Sequence, residues 1–310
     1  MSKYLVFGHQ NPDTDAIGSA IAFSYYLERK GHESEAVALG EPSAETAFAL
    51  NHFSLEAPRV VETVANEVDR VALVDHNEPQ QSVADLAEVT VDYVVDHHRI
   101  NGFNTANPLF YRAEPIGSTC SVIYKMFAEQ NIDIPQSIAG IMLSALISDT
   151  LLLKSPTTTA EDKDIAEALA KIANVDLQEY GLEMLKASAD ISQQTDEELV
   201  NADAKSFSLN GHDVRIGQVN VIGFDEILAR KEGLLSVMEE EVQNNEFNLF
   251  LLVITDILEN DSVGLVAGIN RPIVTTAFGN EVIDSQIALP GIVSRKKQVV
   301  PPLTDVYDAL

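Results

Sequence analysis

The chain has no tryptophan, a single cysteine and few basic residues. Of its 310 residues, 20 are Lys or Arg and 48 are Asp or Glu, so the net charge is −28. A chain this acidic repels polyanions, which excludes generic binding to nucleic acid and to anionic membranes. Aromatic residues make up only 6%. The side chains on which nucleic-acid bases stack are therefore scarce as well.

Cysteines and long apolar runs are also scarce. The single Cys120 excludes a disulfide within the chain and suits the reducing cytoplasm, where we expect the protein to be located. Cys120 lies in a helical pattern beside Val122 and Ile123, so we interpret it as a core residue. No apolar run approaches the ~20 residues of a membrane span, and Met1-Ser2-Lys3 leads straight into a predicted strand. We therefore expect no signal peptide and no membrane partner.

The length of the chain predicts two domains. With 310 residues, 45% of them hydrophobic, the chain can build more than one core. The apolar periodicity lapses into a short polar segment at residues 191–195. We therefore predict a first domain at residues 1–190, a linker at 191–195 and a second domain at 196–310.

Predicted strands and helices alternate in the first domain. The strands are Tyr4–Phe7, Ala36–Gly40, Val71–Val74 and Val91–Val95, and the helices are Ala16–Lys30, Ala44–Phe53, Val83–Glu88, Ser118–Glu129, Ile138–Ser148 and a helical region from Ala160 to about Ser188. This alternation is typical of α/β proteins. It predicts a doubly wound, mainly parallel sheet.

The second domain has a different pattern. Asn210-Gly211 separates two alternating runs, Lys205–Leu209 and Val214–Val219, which is a strong hairpin signal. A helical pattern follows at about Asp225–Asn244, and two apolar runs then indicate adjacent strands at Phe247–Ile254 and Val263–Ile269. We therefore predict a smaller α/β domain with a mixed sheet.

Acidic and imidazole side chains follow three predicted strands of the first domain. They are His9, Asp13 and Asp15 after the first strand, Asp75 after the third, and His97 in the Asp96-His97-His98 run after the fourth. Because the carboxyl ends of parallel strands meet at one edge of a sheet, we expect these side chains to converge. Asp13 and Asp15 also have a simpler interpretation, since Asp commonly caps a helix N-terminus.

A further carboxylate, Asp149, ends the apolar helix Ile138–Ser148. The helix dipole disfavours an acid at that end, which indicates a function such as metal binding. Carboxylates together with imidazoles are typical ligands of a divalent first-row transition metal.

The second domain contains one basic cluster, Arg295-Lys296-Lys297. These are three of only eight basic residues after Thr195. The alternative is a solvated basic turn, but in so acidic a chain we favour a cluster that binds an anion. If the stretch is extended, Lys297 points away from Lys296 and is not a direct ligand.

Taken together, the loop from His9 to Asp15, Asp75, the Asp96-His97-His98 run, Asp149 and the Ser294–Lys297 element resemble the DHH phosphoesterase superfamily. Within it the chain resembles the family II, manganese-dependent inorganic pyrophosphatases over essentially its whole length. The resemblance implies that one metal is held by His9, Asp13 and Asp75, and the other by Asp15, Asp75, His97 and Asp149. It also implies that the phosphates are bound by His98, Lys205, Arg295, Lys296 and Gln81.

The implied reaction is the hydrolysis of pyrophosphate to two phosphates by a hydroxide that bridges two Mn²⁺ ions in each subunit. Two cations about 3.5–4 Å apart can share a hydroxide whose pKa both of them lower. Co²⁺ or Mg²⁺ are the expected substitutes, and Mg²⁺ or Mn²⁺ accompanies the substrate. The substrate is expected in a cleft between the domains that closes on it. The family further implies a homodimer formed through the first domain's sheet.

Two alternatives stay open. One is another DHH hydrolase that cleaves short oligonucleotides, cyclic dinucleotides or nucleoside bisphosphates. Those relatives usually carry a glycine-rich motif with a histidine in the second domain, whereas Gly264 and Gly268 are isolated here. The other is a metal- or nucleotide-sensing module without turnover, but every expected ligand is present. Arg99 is open too, since it could serve the site or pair with a carboxylate.

Overall fold

The structure is a computed structural model that describes residues 3–189, 191–192 and 194–310. The chain forms two compact units, Met1–Ala187 and Ser188–Leu310. Three positions used in the predicted domain bounds and linker, Met1, Asp190 and Gln193, lie outside the described residues. Over the described ranges, no helix combines the length and the apolar character needed to cross a membrane.

The first unit contains a six-stranded sheet and its connecting helices. In chain order its elements are β1 Lys3–Phe7, α1 Thr14–Arg29, β2 Glu33–Ala38, α2 Ala44–His52, β3 Arg59–Val60, β4 Arg70–Val74, β5 Thr90–Asp96, β6 Phe110–Ala113, α3 Thr119–Gln130, α4 Gln136–Thr150, α5 Ala160–Ala173 and α6 Leu177–Ala189. The predicted strands and most of the predicted helices are confirmed.

All strand pairs of this sheet are parallel, in the order β3-β2-β1-β4-β5-β6. The predicted doubly wound α/β fold is thus confirmed. The strand order reverses between β1 and β4, and at such a switch point the connecting loops separate and leave room for a ligand. Leu5 and Phe7 are fully buried and pack with Val64 and Val83 from connecting segments. The sheet core therefore fixes where the loops after β1, β4 and β5 begin.

The prediction of a helix at Val83–Glu88 is wrong. The structure has only two single 3₁₀ turns there, Pro79–Gln81 and Leu86–Glu88. The Asp85 carboxylate accepts hydrogen bonds from the main-chain N–H groups of Val64 and Ala65, a contact that competes with a continuous helix at this segment. The edge strands β3 and β6 were not predicted.

The second unit contains a five-stranded mixed sheet. Its elements are α7 Asp196–Asn201, β7 Ala204–Leu209, β8 His212–Val221, α8 Asp225–Ala229, α9 Lys231–Asn244, β9 Leu249–Asp256, β10 Asp261–Ala267, α10 Arg271–Phe278, β11 Gln286–Leu289 and α11 Val300–Asp308. The strand order is β11-β10-β9-β8-β7, in which only β8 and β9 pair in parallel. The predicted mixed sheet is confirmed. So is the hairpin, since Asn210 and Gly211 both have positive φ.

The strand β9 organises the second core. Every one of its residues is buried, because alternate side chains face opposite sides of a covered sheet. Phe250 and Leu252 join one apolar cluster, and Leu249 and Leu251 join the other.

One prediction for the second unit is wrong, and the condition attached to another is not met. The helix predicted at Asp225–Asn244 is broken at Arg230, whose guanidinium binds Asp196 and the carbonyls of Ile191 and Gln194. The basic cluster is not extended, because Arg295–Val299 form a π-helical turn that leads into α11. The alternation argument for Lys297 therefore does not apply.

Candidate metal centre

The loop after β1 brings His9 and Asp13 together. Asp13 is the N-cap of α1, and its Oδ1 accepts a hydrogen bond from the Ala16 N–H at 2.9 Å. Its other oxygen, Oδ2, lies 3.4 Å from His9 Nε2. The two interpretations of this aspartate are therefore compatible, since one oxygen caps the helix and the other faces the imidazole.

Carbonyl groups fix which nitrogen carries a proton in His9 and His97, the two buried histidines of this cluster. His9 Nδ1 lies 2.8 Å from the Gln10 carbonyl, and His97 Nδ1 lies 2.9 Å from the Ile116 carbonyl. A carbonyl can only accept, so each Nδ1 carries a proton, and Nε2 is the nitrogen that offers a lone pair when the ring is neutral. These two Nε2 atoms face carboxylate oxygens, which are acceptors as well. A cation between such acceptors would stabilise the arrangement.

Asp75 lies between the two histidines. Its Oδ2 is 3.4 Å from His9 Nε2, and its Oδ1 is 3.4 Å from His97 Nε2. The residue directly follows β4 and has a φ of 57°, in the left-handed region that Asp tolerates better than most residues. This backbone turn directs one carboxylate towards both imidazoles, which is the placement that a bridging ligand needs.

Asp15 and Asp149 are the other two carboxyl groups that face His97, and together with His97 they form what we call the His97 side of the cluster. Asp149 Oδ2 is 3.2 Å and Asp15 Oδ2 is 3.9 Å from His97 Nε2. Asp15 is fully buried in the first turn of α1, and Asp149 lies in the last turn of α4 with its side chain 19% exposed. The structure thus places all six residues of the predicted ligand set in one cluster.

This cluster fits divalent metal ions. His9, Asp13 and Asp75 form one group of potential ligands, and Asp15, His97 and Asp149 form another, with the ligand atoms of each group within 4.8 Å of one another. Two ligand atoms about 2.1 Å from one ion, separated by 90–110°, are about 3.0–3.4 Å apart. Most of the measured separations match this range. When all four carboxyl groups are ionised they carry four negative charges, which two divalent cations would neutralise.

The carboxylates differ electrostatically. Burial and the nearby carboxylates Asp75 and Asp149 raise the pKa of Asp15 well above its usual range. Removal from water also raises the pKa of Asp149 to about 6. Burial opposes ionisation at Asp75 too, but hydrogen bonds from His9 and His97, when these rings are protonated in the absence of a metal ion, hold the pKa of Asp75 well below its usual range. The carboxylate between the two histidines is therefore the one most readily ionised.

His98 is directed by the first residue of its own motif. Its Nδ1 lies 2.9 Å from Asp96 Oδ1, which also accepts hydrogen bonds from the N–H groups of His97 and His98. The other Asp96 oxygen accepts from Asn77 Nδ2 at 2.7 Å. Because Asp96 is fully buried, water does not compete for these hydrogen bonds. They hold the ring of His98 in one orientation.

Three other residues lie around this cluster. The Gln81 carbonyl accepts a hydrogen bond from the Gln10 N–H at 2.8 Å, which joins the predicted phosphate ligand to the His9 loop. Arg99 pairs with Glu78 at 3.5 Å. His76 is buried and donates from Nδ1 to the Val74 carbonyl, and burial lowers the pKa of His76 to about 4.

Hydrogen bonds join the segment that contains Arg295 to the segment that leads into β7, where Lys205 lies. Arg295 donates to the carbonyl of Asp203 at 2.7 Å and to its carboxylate at 2.8 Å. Asp203 directly precedes β7 and lies two residues before Lys205. Ser294 caps the π-helical turn through the Lys297 N–H, and Lys296 is exposed within that turn. The structure therefore brings Arg295 to the start of β7.

Sequence reasoning missed two supporting groups. Asp96 was part of the recognised motif but had no assigned role, and Ser118 and Thr119 were read only as the start of a helix. The signal for the second pair was present, because Ser-Thr before an apolar helical run marks an N-cap. The carboxylates that Ser118 and Thr119 contact come from distant parts of the chain. The sequence therefore did not predict these contacts.

Comparison with known families assigns both units. The model of the DHH family, N-terminal domain, matches residues 3–146. The model of the DHHA2 domain matches residues 182–306.

Full-length relatives and a solved structure agree with this assignment. The chain is 59% identical over 311 residues to a protein of Lactobacillus acidophilus, covering 100% of both chains, and 59% identical over 310 residues to one of Lactobacillus helveticus, covering 99% of this chain and 100% of the relative. Both are named probable manganese-dependent inorganic pyrophosphatase. A crystal structure from Methanococcus jannaschii, described as a family II inorganic pyrophosphatase, has a TM-score of 0.89 at 40% identity and covers 99% of each chain.

Proposed function

Because this chain belongs to the family of the manganese-dependent inorganic pyrophosphatases, we propose that it hydrolyses inorganic pyrophosphate to two phosphates. The enzyme is thus a hydrolase that acts on a phosphoanhydride bond. The observation that carries this function is the cluster in the first unit, where two imidazoles and four carboxyl groups form two of the groups of potential metal ligands, with Asp75 between the imidazoles.

We propose that each subunit binds two Mn²⁺ ions. One is held by His9, Asp13 and Asp75, and the other by Asp15, Asp75, His97 and Asp149. Co²⁺ or Mg²⁺ can substitute, and Mg²⁺ or Mn²⁺ accompanies the substrate. Bound divalent ions lower the pKa of water and neutralise charge on phosphate oxygens. The tautomers of His9 and His97 support this assignment, since both present Nε2 as a ligand atom.

The remaining residues of the proposal bind and orient the substrate. The first unit is the metal-binding catalytic domain, in which Asp96 orients His98 so that its other ring nitrogen can donate to a phosphate oxygen. The second unit binds substrate. Lys205, Arg295 and Lys296 supply the positive charge, and Gln81 of the first unit adds a polar contact. Arginine offers a planar fork for two oxygens, whereas lysine offers a mobile point charge.

Replacing Asp96 with asparagine tests the role of His98. The amide keeps the shape but places a donor where Asp96 now only accepts, so the ring of His98 loses its orientation. We expect kcat/KM for pyrophosphate to fall about 10- to 100-fold, as is typical when a partner of a site residue is removed, while two Mn²⁺ ions still bind. The control is Asp92→Asn, which changes a carboxylate nearer the other end of β5. Equal activities of the two variants would contradict the role of Asp96.

Manganese binding should weaken in acid. Its ligands must be deprotonated, and burial raises the pKa of Asp149 to about 6. Above that pH the ion meets an ionised carboxylate, whereas below it the ion must displace a proton. We expect the affinity to fall about tenfold per pH unit for each displaced proton, beginning near pH 6. Calorimetric titration between pH 7.5 and 5 would show this, and a constant affinity across that range would contradict the ligand set.

A phosphate-release assay separates the proposed function from its alternative. With Mn²⁺ present, we expect rapid phosphate release from pyrophosphate. A dinucleotide is assayed in parallel with an added phosphatase, which releases phosphate only from ends that the enzyme has cleaved, and there we expect no phosphate. Faster cleavage of the dinucleotide would instead support a DHH-type phosphodiesterase. The full-length identity to pyrophosphatases does not favour that alternative.

We also propose that the enzyme acts in the cytoplasm as a homodimer formed through the sheet of the first unit. The single, fully buried cysteine is compatible with a reducing compartment. The edge strand β6 exposes Phe110, and an edge strand can pair with a second copy. A solution mass of one chain, measured by light scattering, would exclude the dimer.

A further inference from the structure

The first turn of α3 contacts two of the metal-site carboxylates. Asp15 Oδ1 accepts hydrogen bonds from Ser118 Oγ at 2.8 Å, from the Cys120 N–H at 3.1 Å and from Ser19 Oγ at 3.1 Å. Asp15 Oδ2 accepts one hydrogen bond, from the Thr119 N–H, at 2.6 Å. Three donors occupy Oδ1, so Oδ2 is the oxygen of Asp15 that can serve a metal ion.

Thr119 joins this carboxylate to a second one. Its N–H binds Asp15, and its hydroxyl donates to Asp75 Oδ1 at 3.0 Å. Asp15 follows β1 and Asp75 follows β4, so one residue sets the relative placement of ligands from two different loops. Thr119 is fully buried, which strengthens both hydrogen bonds relative to bonds made in water.

The turn that carries Thr119 is itself firmly held. Asp162 accepts hydrogen bonds from the Gly117 N–H at 2.9 Å and from Ser121 Oγ at 2.7 Å, on either side of Thr119. Ser118 caps the helix by accepting from the Cys120 N–H. The donors are thus fixed before any ion binds, so little ordering is required when it does.

Among the residues that the structure describes, Thr119 contacts carboxylate oxygens on the His97 side of the cluster and not on the His9 side. The oxygen it binds, Asp75 Oδ1, faces His97 at 3.4 Å, whereas Oδ2 faces His9 at 3.4 Å. Asp15 also belongs to the His97 side, since its Oδ2 is 3.9 Å from His97 Nε2. Loss of the hydroxyl would therefore release the carboxylate oxygen on the His97 side.

We propose that Thr119 is a positioning residue that sets the affinity of the ion on the His97 side, through its hydroxyl group. This inference rests on the proposed function, because it assumes two ions at this cluster. It assigns part of the affinity for one ion to a residue outside the ligand set.

The test is a titration of the metal-free full-length protein with Mn²⁺, in which free Mn²⁺ is counted by electron paramagnetic resonance. Thr119→Val keeps the shape and removes the hydroxyl, and Thr119→Ser keeps the hydroxyl. The matched control is Ser144→Ala, which removes another fully buried hydroxyl of the same unit, one that contacts Gly140 and Tyr180. Thermal unfolding without metal shows whether each variant is folded.

We expect two bound ions in the unchanged protein. In Thr119→Val one ion should bind with unchanged affinity and the other about 10- to 100-fold more weakly, the usual effect of losing a partner of a ligand. Thr119→Ser and Ser144→Ala should bind both ions as the unchanged protein does.

Three results would overturn the proposal. They are unchanged affinities in Thr119→Val, equal weakening of both ions, and a serine variant as weak as the valine variant, which would assign the effect to packing of the methyl group. If Thr119→Val does not fold, the test rests on Thr119→Ser. This variant keeps the hydroxyl and must therefore bind both ions with unchanged affinity, and weaker binding of either ion would overturn the proposal. If the unchanged protein binds fewer than two ions, the proposed function itself fails.

Discussion

Asp75→Ala is expected to lose both manganese ions and nearly all activity. The carboxylate lies 3.4 Å from the imidazoles on both sides of the cluster, so its removal takes one ligand from each ion. Two-metal activation of water contributes several kcal/mol to catalysis. We therefore expect kcat to fall about 10⁴-fold or more, which corresponds to about 5.5 kcal/mol.

Metal content and activity should be measured on the same preparation. Metal analysis after gel filtration gives the number of bound ions, and phosphate release at saturating Mn²⁺ gives kcat. Asp69→Asn is the control, because Asp69 is exposed and precedes the same strand at its other end. An Asp75→Ala variant that retained two ions and normal turnover would contradict the bridging role.

Lys296→Ala is expected to impair substrate binding and spare the metal. Lys296 belongs to the second unit, whereas all six proposed metal ligands belong to the first. A charge-assisted hydrogen bond contributes about 1.5–3 kcal/mol. Loss of one such bond to a phosphate oxygen should therefore lower kcat/KM about 10- to 150-fold.

The control for this variant is Lys163→Ala, which removes the same charge from an exposed position of α5. Steady-state kinetics with pyrophosphate and a parallel Mn²⁺ titration separate the two effects. An unchanged KM together with an unchanged kcat would remove Lys296 from the substrate site. A loss of Mn²⁺ affinity would assign it to the metal site instead.

The sequence predicted where the metal-site side chains lie, but not the hydrogen bonds that hold them in place. Asp75 and His97 end strands with strong apolar patterns, and parallel strands bring such positions to one edge whatever the loop lengths. The hydrogen bonds that orient them arise from packing between distant segments. Asp96 and Thr119 were therefore visible as residues, but their partners were not.

Short strands and helices were also not predicted from the sequence. The edge strands β3 and β6 and the helices α7 and α10 contain between two and eight residues, too few for a clear periodicity. The break at Arg230 and the π-helical turn at Arg295–Val299 follow from side-chain contacts with Asp196 and capping by Ser294. The contact between Arg230 and Asp196 has no local sequence signal, whereas Ser294 is a residue type that commonly caps a helical turn.

The most direct test is a crystal of the enzyme grown with Mn²⁺ and measured at the manganese absorption edge. We predict two anomalous peaks in the first unit, about 3.5–4 Å apart. One should contact His9 and Asp13, the other should contact His97 and Asp149, and both should contact Asp75. A single peak, or peaks away from these side chains, would contradict the account.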